Sequence, residues 1–119
     1  MVYYYYTVKK VSKGYPTQKH YLSWLDYAAS KRFLDCEHTW EFDSHNILHI
    51  HGIADARKNF WVNTVSQQWP GYHIDIHPIT DRAHFNMWLD YIKKDNQNPE
   101  YIKQYQSEYE WRQQALAII

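Results

Sequence analysis

Glycine and cysteine are scarce in this chain, which has three glycines and one cysteine among 119 residues. Nothing in it resembles the glycine-rich loop that cradles nucleotide phosphates. The single cysteine, Cys36, excludes an internal disulfide and fits a reducing compartment. No apolar run approaches the roughly 20 residues of a membrane span, and the polar N-terminus has no signal-peptide pattern. These absences predict an intracellular protein.

The chain also lacks net charge, since 13 basic and 13 acidic residues cancel at pH 7. Binding to nucleic acid would therefore need a local patch rather than a basic field over the whole surface. Aromatic residues are abundant, at 18% with 12 Tyr and 6 Trp. Such side chains can fill a core, and on a surface they can stack on unpaired bases. The length fits one domain over residues 1–119.

Hydrophobic spacing predicts the order strand, helix, hairpin, helix, strand, helix, followed by a polar final helix. The predicted strands span residues 2–11, 39–42, 47–55 and 72–79. The predicted helices run from Thr17 to about Leu34, over the ambiguous stretch 58–68, from Asp81 to a break at 96–99, and over 100–119. This order favours an α+β fold in which helices pack on an antiparallel sheet.

The strongest chemical signal is His49-Ile50-His51 on a predicted strand. Side chains alternate along a strand, so the two imidazoles point to the same face. Glu41 precedes them on the neighbouring strand, between two aromatics, where a carboxylate facing the core would be costly. An odd number of loop residues would place Glu41 beside the histidines, whereas a four-residue loop would not, and Asp43 is the alternative ligand of the same parity. Two imidazoles and one carboxylate with open positions form a catalytic type of metal site, suited to Mn²⁺ or Mg²⁺ and chemically possible for Zn²⁺.

A second group of possible ligands lies on the strand predicted over residues 72–79. His73, Asp75 and His77 share one face of that strand. No apolar pocket is implied around them, so a solvated strand face is the favoured interpretation.

Tyr91 and Lys94 are spaced as neighbours on a predicted helix. The other pair with this spacing, Tyr6 and Lys9, lies on a strand and faces opposite ways. A phenol is a weak nucleophile at neutral pH, but it can attack a phosphodiester when a metal polarises the phosphate and a cation holds it. The sequence thus predicts Tyr91 as nucleophile and Lys94 as the positioning cation. The alternative interpretation is an amphipathic helix with a tyrosine at its rim.

As a set, Glu41, the His-x-His motif at 49–51 and the Tyr-Ile-Lys-Lys-Asp motif at 91–95 resemble the HUH endonuclease domain of rolling-circle replication initiators (Rep). The likeness is to the form found in geminiviruses, circoviruses and related plasmids, and it covers nearly the whole chain. The family's first motif, an aromatic-Thr strand, is similar to residues 5–8, although Lys9-Lys10 follow in place of the usual residues.

The resemblance implies an antiparallel sheet of about five strands flanked by helices, related to RNA-recognition folds. It implies that Glu41, His49 and His51 chelate Mg²⁺ or Mn²⁺. Tyr91 would then attack a single-stranded DNA origin, leaving a 5′-phosphotyrosine and a free 3′-OH that permits religation. A helicase domain or replication proteins absent from this chain would be partners, in a host nucleus if the source is a eukaryotic virus and otherwise in the cytoplasm.

Contacts with single-stranded DNA are predicted on the first strand and at local basic residues: Tyr5, Thr7, Lys9, Lys10 and Lys58, with Arg57 and Arg82 as further candidates. Solvated surface charge is an equally good interpretation of each basic residue.

Two other functions remain open at this point. A single-tyrosine HUH transposase shares the histidine pair, and Tyr101 or Tyr105 would then be the nucleophile. A metal-free module that binds single strands would instead use residues 3–6 as a stacking platform on the sheet.

Overall fold

The structure, a computed structural model, describes residues 2–14, 16–56 and 69–94. Its elements in chain order are β1 (Val2–Lys10), α1 (Gln18–Ser30), β2 (Phe33–Phe42), β3 (Leu48–Ala56), β4 (Tyr72–Ile79) and α2 (Arg82–Lys94). The four strands form one sheet in the order β2-β3-β1-β4, and every neighbouring pair is antiparallel. The predicted α+β class with helices on an antiparallel sheet is confirmed, and the described part of the chain contains four strands. The helices predicted over 58–68 and 100–119 lie outside the described residues.

The two helices pack on opposite faces of this sheet because β1 alternates its side chains. Tyr6 and Val8 point to one face and form a buried core with Trp24 of α1. Tyr5 points to the other face, where it packs in a smaller cluster with Ile92 of α2. The run of tyrosines at 3–6 is thus divided between two cores.

The first helix begins as predicted and ends earlier. Thr17 is its N-cap residue, and the Thr17 backbone N–H donates to His20 Nδ1 at 2.8 Å. The predicted end at Leu34 is wrong, because the helix stops at Ser30 and Arg32 adopts the left-handed conformation with φ 66°. That turn lets Phe33 begin β2 with a fully buried ring, so β2 starts well before the predicted residue 39.

Close contact between Tyr6 and Gly52 joins β1 to β3. The two residues are paired across the strands, and a Cβ added at Gly52 would lie 2.3 Å from Tyr6 Cζ. The Tyr6 hydroxyl donates to Asp35 Oδ1 at 2.6 Å. Burial, assisted by the Asp35 carboxylate, raises the pKa of the Tyr6 phenol well above its ordinary value. Only glycine at position 52 fits beneath this ring.

In the described residues, neither helix is of the length and apolar character needed to cross a membrane.

Candidate metal centre

The register of the β2–β3 hairpin sets which side chains meet at the candidate site. Phe42 pairs with Leu48, so the loop between them, residues 43–47, has an odd number of residues. Glu41 consequently lies opposite His49, on the same face of the sheet as both histidines. Of the two arrangements left open by the sequence, the structure has the one that brings the carboxylate to the imidazoles.

Asp43, the alternative ligand, stabilises the hairpin loop and does not join the cluster. Its Oδ1 accepts hydrogen bonds from the backbone N–H groups of His45 and Ile47, both at 2.9 Å, and its Oδ2 forms an ion pair with the Lys9 ammonium. Burial alone would raise the pKa of the Asp43 carboxyl, but Lys9 and the two N–H donors outweigh it and lower the pKa to about 2. Lys9, predicted to contact phosphate, is therefore already paired with a carboxylate.

Glu41, His49 and His51 each offer one possible ligand atom, and these atoms lie within 4.8 Å of one another. Glu41 Oε2 is 3.0 Å from His51 Nε2 and 3.8 Å from His49 Nε2. Neighbouring ligands of an octahedral ion with bonds near 2.1 Å lie about 3 Å apart, so the Glu41–His51 spacing already fits. Both histidines are buried, at 8% and 9% exposure.

Hydrogen bonds on the far side of each imidazole orient the two rings. His51 Nδ1 lies 2.8 Å from the Tyr5 hydroxyl and 2.9 Å from Thr7 Oγ1. His49 Nδ1 lies 3.4 Å from the carbonyl oxygen of Ile47. With the proton on Nδ1, the His49 ring donates to the Ile47 carbonyl oxygen and the His51 ring donates to one of the two hydroxyl oxygens. Each Nε2 lone pair can then bind a metal beside the Glu41 carboxylate. This is the arrangement in which histidine binds a metal.

Helix α2 brings the predicted nucleophile to this cluster. The Tyr91 ring meets the His51 ring edge-on, with centroids 6.1 Å apart and an interplanar angle of 87°. Tyr91 is 38% exposed, so solvent and a substrate can reach it. Lys94 is the last residue of α2, and the position of its side chain lies outside the described part of the structure.

The residues predicted to contact nucleic acid are dispersed. Tyr5 is buried at 9% exposure, and its ring stacks on Trp88 with centroids 3.9 Å apart. Lys10 Nζ donates to the Lys13 carbonyl oxygen at 2.9 Å. Arg82 lines a cleft of about 420 Å³ at the start of α2. Arg57 and Lys58 lie outside the described residues, as do Tyr101 and Tyr105.

The group on β4 is separate from the candidate metal centre. His73 Nε2 lies 2.9 Å from Asp75 Oδ2, and these side chains are 63% and 50% exposed. β1 lies between β4 and the histidines of β3. Across residues 2–14, 16–56 and 69–94, the group found able to hold a metal is Glu41 with His49 and His51. A solvated strand face describes the β4 group.

The tyrosines at 3–6, which could form a stacking platform for bases, pack against other parts of the protein. Tyr4 and Tyr6 pack with the α1 core, and Tyr3 meets Phe85 of α2 edge-on at 4.9 Å. With Tyr5 beneath Trp88, each ring of the run packs against protein.

Sequence reasoning missed that Tyr5, Thr7 and Trp88 support the site. Alternation along β1 places Tyr5 and Thr7 on one face, which a sequence can indicate. Their contact with His51 depends on the pairing of β1 with β3, in which Thr7 lies opposite His51. No local pattern specifies that long-range pairing.

Comparison of the chain with protein-family models, with curated proteins and with solved structures found no match. Function must therefore be inferred from the chemistry of the site itself. Two oriented imidazoles and one carboxylate can hold a divalent ion with positions left open, and a half-exposed phenol lies beside them. That set suits attack on a phosphate ester better than a closed structural role.

Proposed function

We propose that this chain is a metal-dependent endonuclease and strand transferase acting on single-stranded DNA, of the kind that initiates rolling-circle replication. The observation that carries the proposal is the convergence of Glu41, His49 and His51 beside the ring of Tyr91. The order of the motifs, which is similar to that of Rep endonuclease domains, supports it independently of geometry.

The chemistry of the side chains indicates the role of each residue. Glu41, His49 and His51 would hold Mn²⁺ or Mg²⁺, which when bound would polarise the scissile phosphate as a Lewis acid. The Tyr91 hydroxyl oxygen forms a bond to phosphorus while the bond from phosphorus to the 3′ oxygen breaks. The phenol proton balances the new 3′-OH, so the step is a transesterification without net hydrolysis. Attack by a 3′-OH on the phosphotyrosine reverses it and reseals the strand.

Tyr91 is favoured over other tyrosines of the described residues because of its surroundings. It combines contact with a candidate metal ligand and exposure to solvent. Tyr5 also contacts His51, but it is buried beneath Trp88 and cannot meet a DNA strand in this arrangement. The transposase alternative assigns the reaction to Tyr101 or Tyr105 and is decided by mapping the attached peptide.

The direct test is formation of a covalent adduct. A random-sequence pool of single-stranded DNA, labelled at its 3′ end so that the label stays with the 5′-phosphotyrosine fragment, is incubated with the protein and Mn²⁺. We expect a band resistant to denaturant that disappears with chelator and in Tyr91→Phe. His73→Ala, which removes an exposed histidine from the same sheet, is the matched control and should retain the band. A DNA-linked peptide containing Tyr101 or Tyr105, or no adduct from the unmodified protein, would contradict the proposal.

Lys94 enters the proposal through its helical spacing from Tyr91. A cation one turn from the nucleophile would position the phosphate, so Lys94→Ala should bind DNA and form the adduct more slowly. Lys93→Ala removes the neighbouring exposed lysine and serves as the control. Equal rates for the two variants would remove Lys94 from the site.

A further inference from the structure

Four rings around the candidate site form a closed circuit. Tyr5 stacks on Trp88 at 3.9 Å, and Trp88 meets Tyr91 edge-on at 5.8 Å. Tyr91 meets His51 at 6.1 Å, and His51 lies at the hydroxyl end of Tyr5 with centroids 6.1 Å apart and an interplanar angle of 19°. The circuit joins a metal ligand on β3 to the nucleophile on α2 through a residue of β1.

Tyr5 makes two chemically different contacts within this circuit. Its hydroxyl lies 2.8 Å from His51 Nδ1, where Thr7 Oγ1 also lies at 2.9 Å. Its ring face stacks on the indole of Trp88, and this contact does not involve the hydroxyl. One contact can therefore be removed without the other.

We propose that Tyr5 is a positioning residue that couples the metal ligand to the nucleophile. Its hydroxyl, with that of Thr7, holds the His51 ring in the orientation for metal binding. Its ring positions Tyr91 through contact with Trp88. The inference rests on the proposed function for the role of Tyr91 and gives Tyr5 and Thr7 a task other than contact with DNA.

The proposal has two halves, one for the hydroxyl of Tyr5 and one for its ring, and each has its own physical basis. A hydroxyl at Nδ1 holds the imidazole in one orientation and can accept the Nδ1 proton when the Nε2 lone pair binds a metal. Loss of such a partner typically weakens metal binding about 10- to 100-fold. Stacked and edge-on rings fix the position of an aromatic side chain, and a shift of about 1 Å at a reacting group can cost about 10²-fold in rate. Loss of the hydroxyl should thus appear in metal affinity, and loss of the ring contact in the rate of the chemical step.

The first measurement is Mn²⁺ binding by the protein alone, followed by the loss of the free-ion electron paramagnetic resonance signal. We expect Tyr5→Phe and Thr7→Val each to weaken binding about 10-fold or more. Thr7→Ser keeps the hydroxyl and should restore the affinity. Tyr6→Phe removes a buried hydroxyl from the next residue on the opposite face and should not change it. Wild-type affinity in Tyr5→Phe would overturn the role of the hydroxyl.

The second measurement is the rate of adduct formation at saturating Mn²⁺. Trp88→Leu should slow the adduct about 10-fold or more with Mn²⁺ affinity unchanged, and Trp88→Phe, which keeps a ring, should recover part of the rate. Leu89→Ala removes apolar packing from the same helix and leaves all four rings in place, so it controls for general loosening of α2. A wild-type rate in Trp88→Leu, or an equal loss in Leu89→Ala, would overturn the role of the ring.

The two measurements separate this inference from the proposed function. If the unmodified protein binds Mn²⁺ but forms no adduct, the endonuclease proposal and the part of this inference that concerns the ring fail together. The part that concerns the hydroxyls is still decided by the Mn²⁺ affinities of Tyr5→Phe and Thr7→Val. If the unmodified protein does not bind Mn²⁺, both halves are overturned.

Discussion

Glu41 lies directly opposite His49 across the β2–β3 hairpin, and this pairing decides that the carboxylate belongs to the imidazole pair. The odd-length loop at 43–47 produces it. A loop shorter or longer by one residue would turn Glu41 to the face covered by α1. The candidate metal centre therefore depends on the loop as much as on the three ligands.

The first prediction concerns the identity of the carboxylate ligand. Glu41→Gln should lower Mn²⁺ affinity at least about 10-fold, because it replaces the anionic ligand by a neutral amide. Glu37→Gln alters an exposed carboxylate of the same strand and should bind Mn²⁺ as the unmodified protein does. Isothermal titration calorimetry measures both variants. Loss of binding in Asp43→Asn with normal binding in Glu41→Gln would exchange the two assignments.

The second prediction concerns the choice of metal. Mg²⁺ prefers oxygen ligands, and two of the three ligands here are imidazole nitrogens, which suit Mn²⁺ better. Half-maximal adduct formation should therefore require at least about 10-fold more Mg²⁺ than Mn²⁺. His49→Asp exchanges one nitrogen for oxygen and should narrow this ratio. Equal requirements for the two ions in the unmodified protein would mean that an imidazole is not bound.

The sequence predicted those helices and strands whose ends are set by residues within or next to them. Alternation identified β4 over residues 72–79, and Thr17 marked the start of α1. The end of α1 was missed because the stop is a single left-handed residue, Arg32, which carries no glycine signal. Pattern alone placed the histidine pair on one face.

Long-range pairing accounts for what the sequence could not predict about the site. The position of Glu41 required the hairpin register, and the partners of His51 required knowledge that β1 lies beside β3. The buried ring of Tyr5 was predicted to contact DNA because its strand resembled a motif, whereas its surroundings depend on where α2 packs.

The third prediction tests the close contact between β1 and β3. Gly52→Ala should destabilise the fold by about 1–3 kcal/mol or more, since the new methyl group would overlap the Tyr6 ring. Urea unfolding followed by circular dichroism measures the loss. Tyr6→Leu removes the ring that the new methyl group would overlap. The double variant should therefore lose less free energy of unfolding than the sum of the losses in the two single variants. Additive losses would mean that the added methyl group meets something other than Tyr6.

The fourth prediction is a dependence of stability on pH that arises from Asp43. The pKa of its carboxyl is about 2 in the folded protein and near 4 in an unfolded chain, so ionised Asp43 stabilises the fold above pH 4. That contribution should be retained at neutral pH and lost progressively as the pH falls from about 4 towards 2. The sign follows because the unfolded chain takes up the proton first.

A double-mutant cycle between Asp43 and Lys9 isolates this effect from the other titrating groups. Asp43→Asn and Lys9→Met each remove one member of the ion pair, and their coupling energy is obtained from urea unfolding at pH 6 and pH 3. We expect a favourable coupling at pH 6 and a smaller one at pH 3, because part of the carboxylate is then protonated. Lys10→Met with Asp43→Asn is the matched control, since Lys10 bonds to Lys13 instead. A coupling that is absent at pH 6, or equal at the two pH values, would show that Lys9 is not the group that lowers the pKa of Asp43.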